Sequence, residues 1–78
     1  MKKVIAVSYR MKGGILDDDY TLYDNGEILH EYDKHIYPGG HNLSRTLTAD
    51  QLSSDVKNRL LDEASEENKE LVKSLLGM

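Results

Sequence analysis

Residues 4–32 read VIAVSYRMKGGILDDDYTLYDNGEILHEY, and this stretch decides the fold. It contains three runs rich in β-branched and aromatic residues, separated by the dipeptides Gly13-Gly14 and Asn25-Gly26. Two-residue turns of this composition join neighbouring antiparallel strands, because glycine and asparagine tolerate positive φ angles. The spacing therefore predicts strands over about 3–12, 15–24 and 27–33.

A two-residue turn at Gly13-Gly14 would place Ile5 opposite Leu22 and Arg10 opposite Asp17 as an ion pair. Directly opposed residues share a face of a sheet, so this register also sorts the side chains. One face collects a mostly apolar set, which we predict to be the core face: Ile5, Val7, Tyr9, Met11, Leu16, Asp18, Tyr20 and Leu22.

The second hairpin sorts its side chains less clearly. A two-residue turn at Asn25-Gly26 would place Tyr23 opposite Ile28 and Leu22 opposite Leu29. The other face is then too apolar to be only a solvated surface, and tyrosine is enriched at protein interfaces. We interpret this face as a protein-interaction surface formed by Val4, Ala6, Tyr23, Ile28, His30 and Tyr32.

The second half of the chain predicts a connection over 34–47 and two helices over about 49–64 and 66–76. Thr48 and Gln51 fit a capping box, and apolar residues recur at helical spacing after them. Residues 43–47 alternate apolar and polar side chains and could form a fourth strand. The predicted fold class is α+β: a three- or four-stranded antiparallel β-meander followed by two C-terminal α-helices packed on one face, as a single domain over 1–78.

Composition excludes several classes of function. A chain of 78 residues makes one small domain, and the absence of cysteine excludes disulfides and thiolate metal sites. With 10 basic and 14 acidic residues the net charge is −4, which argues against binding to a nucleic-acid backbone. No apolar run approaches the ~20 residues of a membrane span or the ~7–15 of a secretory leader. We therefore expect a cytoplasmic protein that does not bind a membrane.

Catalytic and metal-binding patterns are weak. The histidines lie at 30, 35 and 41, a spacing that matches no helical zinc motif, and Asp17-Asp18-Asp19 lacks the other ligands of a calcium loop. A nucleophile elbow is missing, and a chain of this size has little room for a pocket of ~300 Å³. We predict no catalytic residue, no metal and no cofactor, and hence no enzyme.

The connection between the third strand and the first helix carries a glycine-rich segment. Backbone N–H groups beside glycines can cradle an anion, and an arginine can clamp it. The residues of this candidate anion site are Gly39, Gly40, His41 and Arg45. A simple chain reversal explains the same Pro-Gly-Gly sequence equally well.

Interaction is the function that these patterns favour most. The apolar run at 4–7 would offer an exposed strand edge, unless 43–47 covers it. We expect a small, non-enzymatic protein-interaction module that forms a homodimer and binds another protein. One alternative is an acidic inhibitor of the phage- or plasmid-encoded kind that mimics nucleic acid and blocks a host enzyme. Another is a small-ligand or anion-binding domain that uses 38–45.

Overall fold

The computed structural model describes residues 2–12, 16–33 and 43–78. The strands are β1 (Val4–Ser8), β2 (Met11–Lys12), β3 (Leu16–Tyr23), β4 (Ile28–Tyr32) and β5 (Leu43–Leu47). A 3-10 helix at Ala49–Gln51 precedes the helices α1 (Ser54–Glu63) and α2 (Lys69–Leu76).

All strand pairs are antiparallel, and the strand order across the sheet is β1-β3-β4-β5. β2 pairs with the part of β3 that β1 leaves free, so β1 and β2 act as one interrupted edge strand. The result is an antiparallel sheet four strands wide followed by two helices, which confirms the predicted α+β class. β5 pairs with β4, at the opposite edge from β1, and therefore does not cover the β1 edge.

The hairpin between β3 and β4 has a three-residue loop instead of the predicted two-residue turn. Gly26 N–H donates to Tyr23 O over 3.0 Å, and Tyr23 N–H donates to Glu27 O over 2.9 Å. Gly26 has φ +91°, as the left-handed third position of such a loop requires. The extra loop residue shifts the pairing, so Leu22 lies opposite Ile28. The predicted register of this hairpin is therefore wrong by one residue, and β4 presents the opposite set of side chains to the core.

A bulge in β1 changes the first register in the same way. Val4 lies opposite Tyr23 as predicted, but the pairing then shifts and Ala6 lies opposite Leu22. Asp18 N–H donates to Arg10 O over 2.8 Å, so Arg10 faces Asp18 and the predicted pair with Asp17 is wrong. The Gly13-Gly14 dipeptide, on which that prediction was based, lies outside the described residues.

With this register, the face that carries Leu22 is covered by α1 and α2, and we call it the helix-covered face. A row of opposed strand residues crosses it and forms most of the core with three helix residues and the C-cap of α1: Ala6, Leu22, Ile28 and Leu47, packed with Leu60, Val72, Leu76 and Ala64. Five of these side chains, Leu22, Ile28, Leu60, Val72 and Leu76, are completely buried. Each fully buried aliphatic side chain contributes ~1.5–3 kcal/mol, which is a large share for a domain of this size.

The helices begin and end at recognisable caps. The predicted helix from 49 is divided: Ala49–Gln51 forms a 3-10 turn, and Ser53 caps α1 by accepting Val56 N–H on its Oγ over 3.3 Å. α2 ends at Gly77, whose left-handed conformation (φ 71°) is typical of a helix C-cap. Neither helix in the described part of the chain has the length and apolar character needed to cross a membrane.

Candidate functional site

Polar side chains occupy the end of the helix-covered face beyond the apolar core. Two further rows cross the sheet there: Ser8, Tyr20, His30 and Arg45, followed by Arg10, Asp18, Tyr32 and Leu43. Arg59 reaches down to these rows from α1. Ser8, Asp18, His30 and Arg59 are all buried. We call these four residues, with Arg45, the polar network.

His30 is held on both ring nitrogens and on both ring faces. Its Nε2 lies 2.7 Å from Asp18 Oδ1, and Arg45 Nε donates to its Nδ1 over 3.3 Å. The imidazole stacks between Tyr20 and Tyr32, with ring centroids 4.2 and 4.6 Å away. Because an arginine Nε–H can only donate, Nδ1 must accept. The contact with Arg45 therefore assigns the donor role to Nε2, which donates to Asp18 Oδ1.

Arg59 ties α1 to the sheet through the same carboxylate. Its Nη1 donates to Asp18 Oδ2 over 3.2 Å, its Nη2 to Asp18 O over 2.9 Å and its Nε to Ser8 Oγ over 3.1 Å. The guanidinium carbon also lies 5.2 Å from the centroid of the Tyr20 ring. Burial, reinforced by the nearby Asp18 carboxylate, raises the pKa of the Tyr20 phenol, while Arg59 and Arg45 act against this rise.

Within the described part of the chain, every buried side-chain nitrogen and oxygen has a hydrogen-bond partner. The Asp18–His30 pair resembles a general-base pair only at first sight, because Arg45 already occupies the second ring nitrogen. Catalysis by such a pair needs that nitrogen to face a nucleophile or a substrate proton. The arrangement fits a structural role, which is to lock α1 against β3 and β4.

The opposite face of the sheet carries no helix among the described residues, and we call it the open face. Strand alternation places these side chains on it: Val7, Asp17, Asp19, Thr21, Tyr23, Leu29, Glu31, Asp33, Ser44 and Thr46. Val7, Thr21 and Leu29 form a half-buried row across its middle. Acidic side chains cover one end.

Four carboxylates meet at this acidic end, which we call the carboxylate patch: Asp17, Asp19, Glu31 and Asp33. Asp19 lies directly opposite Glu31, and Asp33 N–H donates to Asp17 O over 3.0 Å, so two like-charged pairs stand side by side. Like charges directly opposite each other destabilise a sheet. With Tyr32 and Ser44 the patch surrounds a cleft of about 140 Å³.

Backbone donors hold part of the carboxylate patch in place. Asp19 Oδ1 accepts Arg10 N–H over 3.2 Å, and Asp33 Oδ2 accepts Asp17 N–H over 3.1 Å. No lysine or arginine of the described residues forms a salt bridge with Asp17, Asp19 or Glu31. Backbone N–H groups therefore orient Asp19 and Asp33, and no salt bridge from a lysine or arginine of the described residues offsets the repulsion between Asp19 and Glu31.

The other end of the open face shows the contrasting arrangement. Lys2 Nζ lies 2.8 Å from Glu27 Oε2 and 4.5 Å from the centroid of the Tyr23 ring. The hydrogen bond to Lys2 lowers the pKa of Glu27, and the same bond raises the pKa of Lys2. Both groups are exposed, so solvent screens the pair and its contribution to stability is small.

The structure separates the residues of the predicted interaction surface. Val4 and Tyr23 remain together on the open side, where Val4 is 47% exposed. Ala6, Ile28 and His30 are buried on the helix-covered face, so their assignment to a free surface is wrong. Tyr32 also moves to that face, where it is half-buried and stacks on His30. The shifted registers are the cause, because each one-residue shift turns a strand over.

The predicted anion site is only partly described. Gly39, Gly40 and His41 lie outside the described residues, while Arg45 is engaged with His30 and lies over the Tyr32 ring at 5.5 Å. Nowhere in residues 2–12, 16–33 and 43–78 do three or more histidine and acidic side chains form a group arranged to hold a metal ion.

The carboxylate patch was not among the predicted sites, although its signal is present in the amino-acid sequence. Asp17 and Asp19 alternate in one strand, and Glu31 and Asp33 alternate in the next. With the observed three-residue loop, the same alternation brings all four to one face. Compared with protein-family models, with curated proteins and with solved structures, the chain matches none.

Proposed function

We propose that this chain is a cytoplasmic, non-enzymatic protein-interaction module whose open face docks a basic segment of another protein. The observation that carries the proposal is the like-charged cross-strand contact of Asp19 with Glu31, beside Asp17 on the same face. Such a contact costs folding stability. Natural proteins keep such local violations mainly where function requires them. Lysine or arginine side chains of a partner would relieve the repulsion on binding.

The rest of the open face supports a docking role. The half-buried row of Val7, Thr21 and Leu29 lies beside the carboxylate patch and offers apolar contact area. An apolar centre with charges along one side is typical of protein interfaces. Complementary charge accelerates encounter with a partner of opposite sign and selects against the wrong partner.

The negative charge of the open face argues against this face as the interface of the homodimer predicted from the sequence. Two copies that met through their open faces would bring two carboxylate patches together, and like-charge contact across an interface costs several kcal/mol. A basic partner has the opposite effect. We therefore propose that the partner of this face is a different protein. An acidic inhibitor of a nucleic-acid-binding enzyme is one form of such a module.

The test compares two double variants that change the net charge equally. Asp19→Asn with Glu31→Gln removes the charges of the directly opposed pair in the patch and keeps an oxygen acceptor for Arg10 N–H. Asp62→Asn with Glu66→Gln removes two exposed charges from the helical half and serves as the control. We expect the first variant to bind arginine- and lysine-rich peptides roughly tenfold more weakly than the control, since exposed charge pairs contribute ~0.2–1 kcal/mol each.

The salt dependence gives a second readout in the same calorimetric or fluorescence titration. Affinity of the native chain should fall as NaCl is raised, because surface charges are screened. Equal affinities for the two double variants would contradict the proposal. Displacement of nucleic acid from a basic enzyme by the native chain, and not by the patch variant, would support the inhibitor form.

A further inference from the structure

The two edges of the sheet differ in their readiness to accept another strand. The β1 edge is interrupted between β1 and β2 and contains the bulge between Val4 and Ala6. Bulges and short edge strands are devices by which proteins prevent further pairing. All five residues of β5, in contrast, pair with β4 in unbroken register, and the other side of β5 has no partner strand among the described residues.

We propose that the basic segment adds to β5 as a further strand of the sheet, with lysine or arginine at alternate positions above the open face. This inference rests on the proposed function, and it specifies how the partner is held. Strand addition would supply affinity through backbone hydrogen bonds, and alternate side chains would supply specificity.

Small side chains on β5 leave the carboxylate patch within reach of such a strand. Ser44 lies opposite Glu31, which lies opposite Asp19, so these three residues form one row across the open face. Ser44 and Thr46 are exposed and short. Neighbouring strands are about 4.8 Å apart, so an added residue opposite Ser44 would lie about 10 Å from the β4 backbone. The long flexible stem of a lysine or arginine can extend over Ser44 towards Glu31.

The position of Arg45 predicts which residue type the added strand carries between two neighbouring basic residues. It is exposed on the helix-covered face, and its guanidinium is fixed by the hydrogen bond to His30 and by the ring of Tyr32. A residue of the added strand that faces Arg45 would be best matched by aspartate or glutamate, since opposite charges across strands stabilise a pair. The recognised pattern is therefore basic–acidic–basic.

The same residue argues against a second copy of this chain as the occupant of the edge. Antiparallel pairing of β5 with β5 about its centre would place Arg45 opposite the Arg45 of the other copy. The β5 strand of the second copy would also bring no cation to the open face, because it contributes only Ser44 and Thr46 there. An extended basic segment of a different protein would place cations over the open face and an acidic residue opposite Arg45.

Synthetic nonapeptides can test strand addition directly. The probe alternates lysine with threonine and has glutamate at its central threonine position, while a scrambled peptide of equal composition groups its lysines together. We expect the alternating probe to bind the native chain at least tenfold more tightly than the scrambled peptide. Two further versions carry N-methyl groups on the odd or on the even backbone amides.

The methylated peptides distinguish the two proposals. Only alternate N–H groups of an added strand face the sheet, so one methylated version should lose at least tenfold in affinity and the other should lose little. If both methylated versions and the scrambled peptide bind as well as the probe, and the Asp19→Asn, Glu31→Gln variant weakens all of them, strand addition is wrong while charge-driven docking stands. If that variant weakens none of them, the proposed function itself fails.

Discussion

Asp18 and its two neighbours in β3 show how one strand separates stabilising charge from destabilising charge. Asp18 is 7% exposed and its carboxylate is bound by His30 on one oxygen and by Arg59 on the other. Asp17 and Asp19 point to the opposite face, where they stand across from other acids. Three identical residues in sequence therefore have opposite energetic roles, and strand alternation alone assigns them.

The comparison indicates where this small domain tolerates change. The polar network is fully hydrogen-bonded within the described residues. Removing any member therefore leaves a buried partner without its hydrogen bond. The carboxylate patch is partly exposed, with Glu31 exposed and the three aspartates half-buried, and neutralising Glu31 or Asp19 removes a repulsion. Substitutions in the polar network should therefore lower the free energy of unfolding. Substitutions that neutralise the carboxylate patch should raise it and weaken the binding of a basic partner.

The largest expected effect is on the network side. Replacing Arg59 by methionine in α1 leaves the buried Asp18 carboxylate without its guanidinium partner. We expect the free energy of unfolding to fall by about 3 kcal/mol, since loss of one member of a buried ion pair is strongly destabilising. Urea unfolding near pH 7 measures it. Lys57→Met in the same helix is the control and should stay within ~0.5 kcal/mol of the native chain. A similar result for both variants would show that the network contributes nothing.

His30→Phe should have the next largest effect. Phenylalanine keeps a ring between Tyr20 and Tyr32 but removes the donor to Asp18 Oδ1. The expected loss is about 1–3 kcal/mol, the usual cost of an unsatisfied buried acceptor. His30→Gln retains a donor and should recover part of that loss in the same unfolding experiment. Equal stability of the phenylalanine variant and the native chain would mean that stacking alone holds this position.

On the open face the expected effect is smaller and has the opposite sign. Glu31→Lys turns the repulsion with Asp19 into an attraction and should raise the free energy of unfolding by about 0.5 kcal/mol. The gain should shrink in ~1 M NaCl, where the Debye length is ~3 Å. Glu67→Lys, an exposed change outside the sheet, controls for net charge. If Glu67→Lys gives the larger gain, the patch is not a site of local repulsion.

The smallest effect concerns alkaline pH. Burial raises the pKa of Tyr20 in the folded chain, whereas an unfolded tyrosine ionises near pH 10. A raised folded value means that the contribution to stability is present below about pH 10 and is lost as the pH rises through the folded value. Unfolding measured at about pH 9 and pH 11 should show this loss in the native chain. Tyr20→Phe should reduce it, and an unchanged pH dependence in that variant would contradict the assignment.

Local patterns were enough to predict the element types and the α+β class. Turn dipeptides, β-branched runs and helical spacing are short-range signals, and they located β3, β4 and both helices without knowledge of packing. The predicted strand at 43–47 appears as β5. Its place in the sheet depends on the path of the preceding connection, which local patterns do not define.

The faces of the sheet could not be predicted, because the sequence is ambiguous where the registers are decided. Ile28 and Leu29 are adjacent and both apolar, so a two-residue and a three-residue loop each bury one of them. Residues 4–7 are all apolar as well, so a bulge leaves no trace in the hydrophobic pattern. Ile5 and Ala6 are indeed both buried although they are consecutive. The candidate site was misassigned by this ambiguity alone.

The three-residue loop at 24–26 has a consequence for how this sequence can diverge. Deleting one of its residues would turn β4 over and exchange Ile28 and His30 for Leu29 and Glu31 in the interior. A Cβ built at Gly26 would lie 3.7 Å from Cδ2 of Leu75, in ordinary van der Waals contact, so the loop lies against α2. Among descendants of this chain, the length of the loop between β3 and β4 should therefore vary less than the identity of its residues.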